Sequence, residues 1–182
     1  MLKKLKKIEK NLIGVLGGSF DPPHIGHLRL SKYCVKKLKL SKIFWLITRK
    51  NPFKKKPLFK INERVNKCKK LTRGFNQIKV RYLDKVVGSS RTIETIKYIK
   101  KENKNTDIIL IMGSDNLITF SKWEKWKELA VLVKIAVLSR KNFDLKAKKS
   151  VASRFLGKKN LMFVNNKKIN ISSSYIRNNY LK

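Results

Sequence analysis

Between positions 17 and 27 the chain reads Gly17-Gly18-Ser19-Phe20-Asp21-Pro22-Pro23-His24-Ile25-Gly26-His27, which gathers adjacent glycines, two prolines and both histidines of the sequence into one short stretch. Glycines let a backbone approach a ligand closely and expose its amides. A helix beginning near Gly26 would aim free N–H groups at an anion. His24 and His27, three apart, can project toward one point, where imidazole donors hold a polyphosphate with less conformational freedom than lysines would. The stretch therefore reads as a phosphate site. It is neither a Walker loop, which needs GK[ST], nor the GxGxxG dinucleotide fingerprint.

Such a loop has to be carried by regular elements. Asn11 to Leu16 is a short apolar run that stops at Gly17 and Gly18, as a buried parallel strand does on entering a functional turn. Ile25 to Leu40 has helical spacing, with Leu28, Leu30, Cys34, Val35 and Leu38 on one face and lysines mostly opposite. Ile43 to Thr48 predicts a second strand, Asn51 to Pro57 a loop, and Asn62 to Leu71 a helix. Gln77 to Leu83 alternates as a strand, and Thr92 to Lys101 returns to helical spacing. Asp107 to Met112 predicts a strand ending at Gly113, with Ser114 and Asp115 as N-cap types for a following helix. Lys134 to Leu138 and Leu161 to Val164 add strands, Asp144 to Lys159 reads as a lysine-rich surface loop or weakly packed helix, and Ser172 to Leu181 as a last helix. Strands alternating with helices imply a single-domain α/β architecture, a Rossmann-like doubly wound fold with a mainly parallel sheet flanked by helices, over residues 1–182. Residues 1–10 are a basic extension. Ligands bind such sheets beyond the carboxyl ends of the strands, where the glycines at 17, 18 and 113 fall.

The chain has 182 residues, and its 46 Lys and Arg against 11 acidic residues give a net charge of +35. That balance raises the possibility of a nucleic-acid or polyanion-binding protein. Lys outnumbers Arg 37 to 9, and Asn and Ile are abundant at 15 and 18, the usage expected of AT-rich codons. The lysines are scattered over almost every segment, so the charge reads as background, and no specific nucleic-acid partner is expected. Cys34 and Cys68 lack CxxC or CxxH spacing, which argues against a disulfide framework or zinc site. No apolar run approaches a membrane span or a signal peptide, so a cytoplasmic protein is expected.

The string from Gly17 to His27 resembles the signature of the nucleotidyltransferase superfamily defined by a (T/H)xGH core, in the FDPPHxGH form of bacterial nicotinate-nucleotide adenylyltransferases. Three further segments agree in order. Ser90-Arg91-Thr92-Ile93-Glu94-Thr95 resembles the family's SYTxxT, Gly113 to Trp123 its GxDxLxxFxxW, and Ile171 to Arg177 its ISSTxIR. The chain departs from the family pattern at Arg91, where tyrosine is common, at Phe53 in place of a histidine, and at Lys141-Asn142 in place of Pro-Gly.

The resemblance implies adenylyl transfer from ATP to nicotinate mononucleotide, giving nicotinate adenine dinucleotide and pyrophosphate in NAD biosynthesis. The phosphate monoester is already an anionic nucleophile, so positioning and charge neutralisation suffice. His24, His27 and Arg177 are the expected catalytic residues. ATP is expected on Gly17, Gly18, Ser19, Phe20, His24, Gly26 and His27, with Gly113 and Asp115 near the ribose and Ser172, Ser173 and Arg177 on the outer phosphates. Trp123 is the expected nicotinate neighbour, backbone amides reading the carboxylate, with Thr92, Lys54 and Arg140 also toward the acceptor. Magnesium would arrive with ATP, and Asp21 is at most an outer-sphere partner. The alternatives are a sister enzyme acting on nicotinamide mononucleotide or phosphopantetheine, a cytidylyltransferase, or a polyanion binder.

Overall fold

In the computed structural model, which describes residues 11–49, 56–140 and 142–165, six apolar runs hydrogen-bond into one sheet. The chain order is β1 (Asn11–Gly18), α1 (Ile25–Lys37), β2 (Lys42–Ile47), α2 (Ile61–Leu71), β3 (Ile78–Arg81), α3 (Asp84–Val87), α4 (Thr92–Glu102) and β4 (Thr106–Gly113). It continues through α5 (Ser114–Thr119), a single-turn helix at Phe120–Lys122, α6 (Trp126–Leu132), β5 (Lys134–Leu138), α7 (Asp144–Lys148), α8 (Val151–Asn160) and β6 (Leu161–Val164). The strand order is β3-β2-β1-β4-β5-β6, and all five pairings are parallel. Strand order therefore reverses between β1 and β4, which opens a crevice at their carboxyl ends.

The period-two alternation of the central strands builds two cores from one set of apolar runs. Val15, Leu46, Leu110, Met112 and Val137 face α4, α5, α6 and α8. Trp45, Ile47, Ile109, Ile111 and Leu138 face the other layer, α1 and α2, through Leu28, Cys34 and Cys68. Being covered on both sides explains why β1, β2, β4 and β5 are written as nearly unbroken apolar runs. Cys34 and Cys68 are buried in the second core, and burial pushes each thiol up to about 12, so they are unreactive packing residues.

Two expectations are corrected. Gly113, not Ser114 or Asp115, is the N-cap of α5: Ser114 opens the helix, buried, and its Oγ accepts from the Arg140 amide at 3.1 Å. The lysine-rich stretch after Asp144 forms two helices that pack through Ala147, Ala152 and Leu156. The short helices α3 and α6 carry no separate signal in the sequence. The expected helix at Ser172 to Leu181 and the 1–10 extension lie outside the described residues. No helix among the described residues is long and apolar enough to cross a membrane.

Candidate active site

The two histidines are positioned by a reciprocal cap at the start of α1. His24 is the N-cap, and its Nδ1 accepts from the Gly26 amide at 3.1 Å, while the His24 amide donates to His27 Nδ1 at 3.2 Å. The ring centroids lie 3.9 Å apart. Because each Nδ1 accepts, each ring proton sits on Nε2, and both imidazoles become Nε2–H donors. One part of the sequence reading is corrected here: the Gly26 amide is not a free N–H at the helix start but donates to His24 Nδ1. Burial, then the charge of Arg140, lower His24 from 6.5 to about 4, which keeps it neutral at physiological pH.

The loop before the histidines is held from beneath by a residue that sequence reasoning missed. Arg64 of α2 is only 2% exposed. Its Nη1 donates to the carbonyls of Ser19 (2.6 Å) and Thr48 (2.9 Å), Nη2 to Arg49 (3.1 Å) and Nε to Phe59 (3.1 Å). Asp21, also buried and close enough for its charge to act on Arg64, accepts the Leu58 and Phe59 amides at 2.8 and 2.9 Å. Each oxygen of the Asp21 carboxylate thus accepts one backbone amide of the Leu58–Phe59 segment. Phe20 adopts a left-handed φ of 47° and stacks on Trp45 at 4.9 Å.

A second cluster forms where β4 and β5 end side by side, with Gly113 opposite Leu138. The Arg140 Nη1 to Asp115 Oδ2 distance is 3.2 Å, and Asp115 Oδ1 is buried without a partner among the described residues. Gly113 is required for this: a Cβ there would lie 2.4 Å from Asp115 Oδ1 and 2.6 Å from Arg140 Nε. Arg140 joins Asp115 and its charge acts on His24.

On the face of the sheet opposite α1 lies a cleft of about 580 Å³ whose lining includes Gly17, Gly18, Thr92, Asn116 and Trp123. No described residue lies within 4 Å of where a Gly17 Cβ would sit, so the end of β1 opens onto this cleft. Trp123 is braced edge-on by Phe120 at 5.3 Å, and its Nε1 is buried without an acceptor among the described residues. Trp126 packs on Phe120 and Phe155. The structure thus brings Gly17, Gly18, Thr92 and Trp123 together. His24, Gly26 and His27 follow on from the same strand end, and Gly113, Asp115 and Arg140 form the neighbouring cluster. Lys54, Ser172, Ser173 and Arg177 lie outside the described residues.

Comparison with known proteins agrees with this arrangement. The cytidylyltransferase-like family model matches residues 15–179. A protein of Pelagibacter ubique named "Probable nicotinate-nucleotide adenylyltransferase" is 43% identical over 169 residues, covering 93% of both chains. One of Bradyrhizobium sp. (strain ORS 278) with the same name is 36% identical over 147 residues, covering 80% of this chain and 76% of that protein. The solved structure of Plasmodium falciparum nicotinic acid mononucleotide adenylyltransferase complexed with NaAD superposes with a TM-score of 0.74 at 20% identity, covering 92% of this chain and 83% of that one. At that identity the likeness is one of fold.

Proposed function

This chain belongs to the nicotinate-nucleotide adenylyltransferase family within the cytidylyltransferase-like group, and we propose that it transfers the adenylyl group of ATP to nicotinate mononucleotide, giving nicotinate adenine dinucleotide and pyrophosphate. The observation that carries this reading is the position of Gly17 and Gly18. They separate two unlike half-sites at the sheet's switch point: paired imidazole donors on the α1 face and a cleft lined by Trp123 on the other. A dinucleotide product requires both, joined across a backbone that has no side chains in the way.

In this reading the acceptor's phosphate oxygen attacks the α-phosphorus of ATP in line, and the bond to pyrophosphate breaks as the new P–O bond forms. The monoester is already ionised, so no proton has to be removed. His24 and His27 donate from Nε2 to the α-phosphate and the departing phosphates, with the Ser19–Phe20 backbone beside them. Asp115, whose Oδ1 is buried and unpartnered, accepts from ribose hydroxyls. Trp123 stacks on the pyridine ring, with Thr92 beside it. Ser172, Ser173 and Arg177 take the outer phosphates and Lys54 the acceptor phosphate. Magnesium travels with the nucleotide and neutralises polyphosphate charge. A cytoplasmic setting, where ATP is supplied, suits the reaction.

The test is pyrophosphate release from magnesium and ATP, with nicotinate mononucleotide, nicotinamide mononucleotide and phosphopantetheine as parallel acceptors. Release with nicotinate mononucleotide, lost in folded His24→Ala and His27→Ala proteins, is expected. Release only with another acceptor overturns the substrate, and near-wild-type activity in both variants overturns the mechanism.

A further inference from the structure

Arg91 and Glu124 approach each other at the cleft from different elements, Arg91 from the N-cap of α4 and Glu124 from the segment after Trp123. The Arg91 Nε to Glu124 Oε2 distance is 2.9 Å, with the side chains 55% and 49% exposed. The Arg91 backbone is fixed on both sides: its amide donates to Ser89 Oγ at 3.1 Å, and its carbonyl accepts the Thr95 amide at 3.2 Å. An exposed pair of this kind contributes little to stability, so its place in the lining of the cleft calls for another account.

The geometry of the guanidinium supplies one. Glu124 engages the Nε side, which leaves the two terminal Nη groups as a planar fork of the kind that binds a second carboxylate with two parallel bonds. The anchoring bond also restricts Arg91 to few rotamers before any ligand arrives, and so reduces the ordering cost of binding. Arg91, Lys122 and Glu124 together give this lining a net charge of +1, which favours an anionic group on the bound ring over a neutral one.

We propose that Arg91, held by Glu124, is a specificity-determining residue that reads the charge of the acceptor's ring substituent and selects the carboxylate of nicotinate over the amide of nicotinamide. This rests on the acceptor reading given above. It adds a side chain to recognition that the family resemblance assigns to backbone amides, at a position where the family commonly carries tyrosine.

The experiment compares kcat/KM for nicotinate and nicotinamide mononucleotides, at saturating magnesium and ATP, in wild type, Arg91→Ala, Arg91→Lys, Glu124→Gln and Lys122→Ala. Both mononucleotides carry the same phosphate, so their ratio isolates the ring substituent. Arg91→Ala is expected to lower the nicotinate preference about tenfold, in keeping with loss of a charge-assisted hydrogen bond, and Arg91→Lys to recover part of it. Glu124→Gln keeps an acceptor for Nε but removes the competing negative charge, so it is expected to raise the preference about threefold. Opposite shifts from the two partners are something a structural salt bridge would not produce. An unchanged ratio in Arg91→Ala, shifts of the same sign in Arg91→Ala and Glu124→Gln, or a Lys122→Ala effect as large as that of Arg91→Ala overturns the assignment while leaving the reaction intact. Wild-type protein that uses neither mononucleotide removes the acceptor reading, and this proposal with it.

Discussion

The Arg64 guanidinium donates to the Ser19 carbonyl at 2.6 Å, tying the first turn of α2 to the loop that carries both histidines, 45 residues earlier in the chain. A peptide unit is planar, with C=O and N–H pointing in opposite directions. Turning the Ser19 carbonyl inward therefore turns the Phe20 amide outward, away from Arg64. Phe20 takes a left-handed φ of 47°, a conformation costly for a bulky residue, and its ring is held on Trp45 and His27. The loop's shape is thus imposed by a buried cation and an aromatic stack as much as by its own glycines.

Replacing Arg64 by Ala would leave the carbonyls of Ser19, Thr48, Arg49 and Phe59 without this donor and the buried Asp21 without its nearby cation. Stability is expected to fall by about 3 kcal/mol, the scale for losing one member of a buried charged network. Urea unfolding measures this. Arg64→Lys keeps the charge but cannot reach all four carbonyls, so it should fall between wild type and Arg64→Ala. An Arg64→Ala protein unfolding at the wild-type midpoint would contradict the clamp.

The fold was legible because its signals are local. The run Asp107 to Met112 can only be a strand covered on both faces, and the spacing from Ile25 to Leu38 can only place an apolar stripe on one side of a helix. Residues 17–27 pointed to a phosphate site because glycines, prolines and histidines coincide there. Arg64 was not legible, because its four acceptors come from three separate segments and only the fold brings them together. A weak signal did exist: in a chain that uses 37 lysines to 9 arginines, an arginine marks a position where a planar fork is needed. The bonds Asp21 makes were not legible for a related reason, since the Leu58 and Phe59 amides lie almost 40 residues away. The position of Arg140 beside Asp115 depends on β4 and β5 ending together, a matter of register rather than composition.

His24 gives the structure a pH dependence whose direction is fixed. Its value is lowered from 6.5 to about 4 by burial and by Arg140. As pH falls through 6.5 the unfolded chain takes up a proton at this position, whereas the folded protein resists until about 4. The unfolded state therefore binds more protons across that window, and stability declines as pH is lowered through it. Denaturant midpoints measured between these values should fall for wild type and fall less steeply for His24→Gln. Equal slopes would show that His24 is not held neutral by the fold.

Gly113→Ala separates function from stability. The new methyl would meet side-chain atoms of Asp115 and Arg140, at 2.4 and 2.6 Å, rather than backbone. Arg140 is half exposed and can swing away, so thermal unfolding should move by little. The Asp115 carboxylate, however, loses its placement, and KM for ATP should rise about tenfold while KM for the mononucleotide stays near wild type. A large loss of stability with unchanged KM would mean that Gly113 serves packing alone.

Trp123 and Trp126 are three residues apart, and the structure assigns them different work. Trp123 lines the cleft and is braced by Phe120 at 5.3 Å, whereas Trp126 sits between Phe120 at 6.0 Å and Phe155 at 4.9 Å. Stacking a planar ring on an aromatic side chain contributes about 1–3 kcal/mol by alanine substitution. Trp123→Ala should therefore raise KM for the mononucleotide at least tenfold with KM for ATP nearly unchanged, and Trp123→Phe should restore most of the loss. Trp126→Ala removes a half-buried ring from the packing of α6 on α8, so it should cost about 2 kcal/mol in unfolding experiments and leave both KM values near wild type. The pair of variants makes the assignment exclusive: if Trp126→Ala raised the acceptor KM as much as Trp123→Ala did, the ring would have to stack elsewhere, and the cleft would lose its claim to the acceptor.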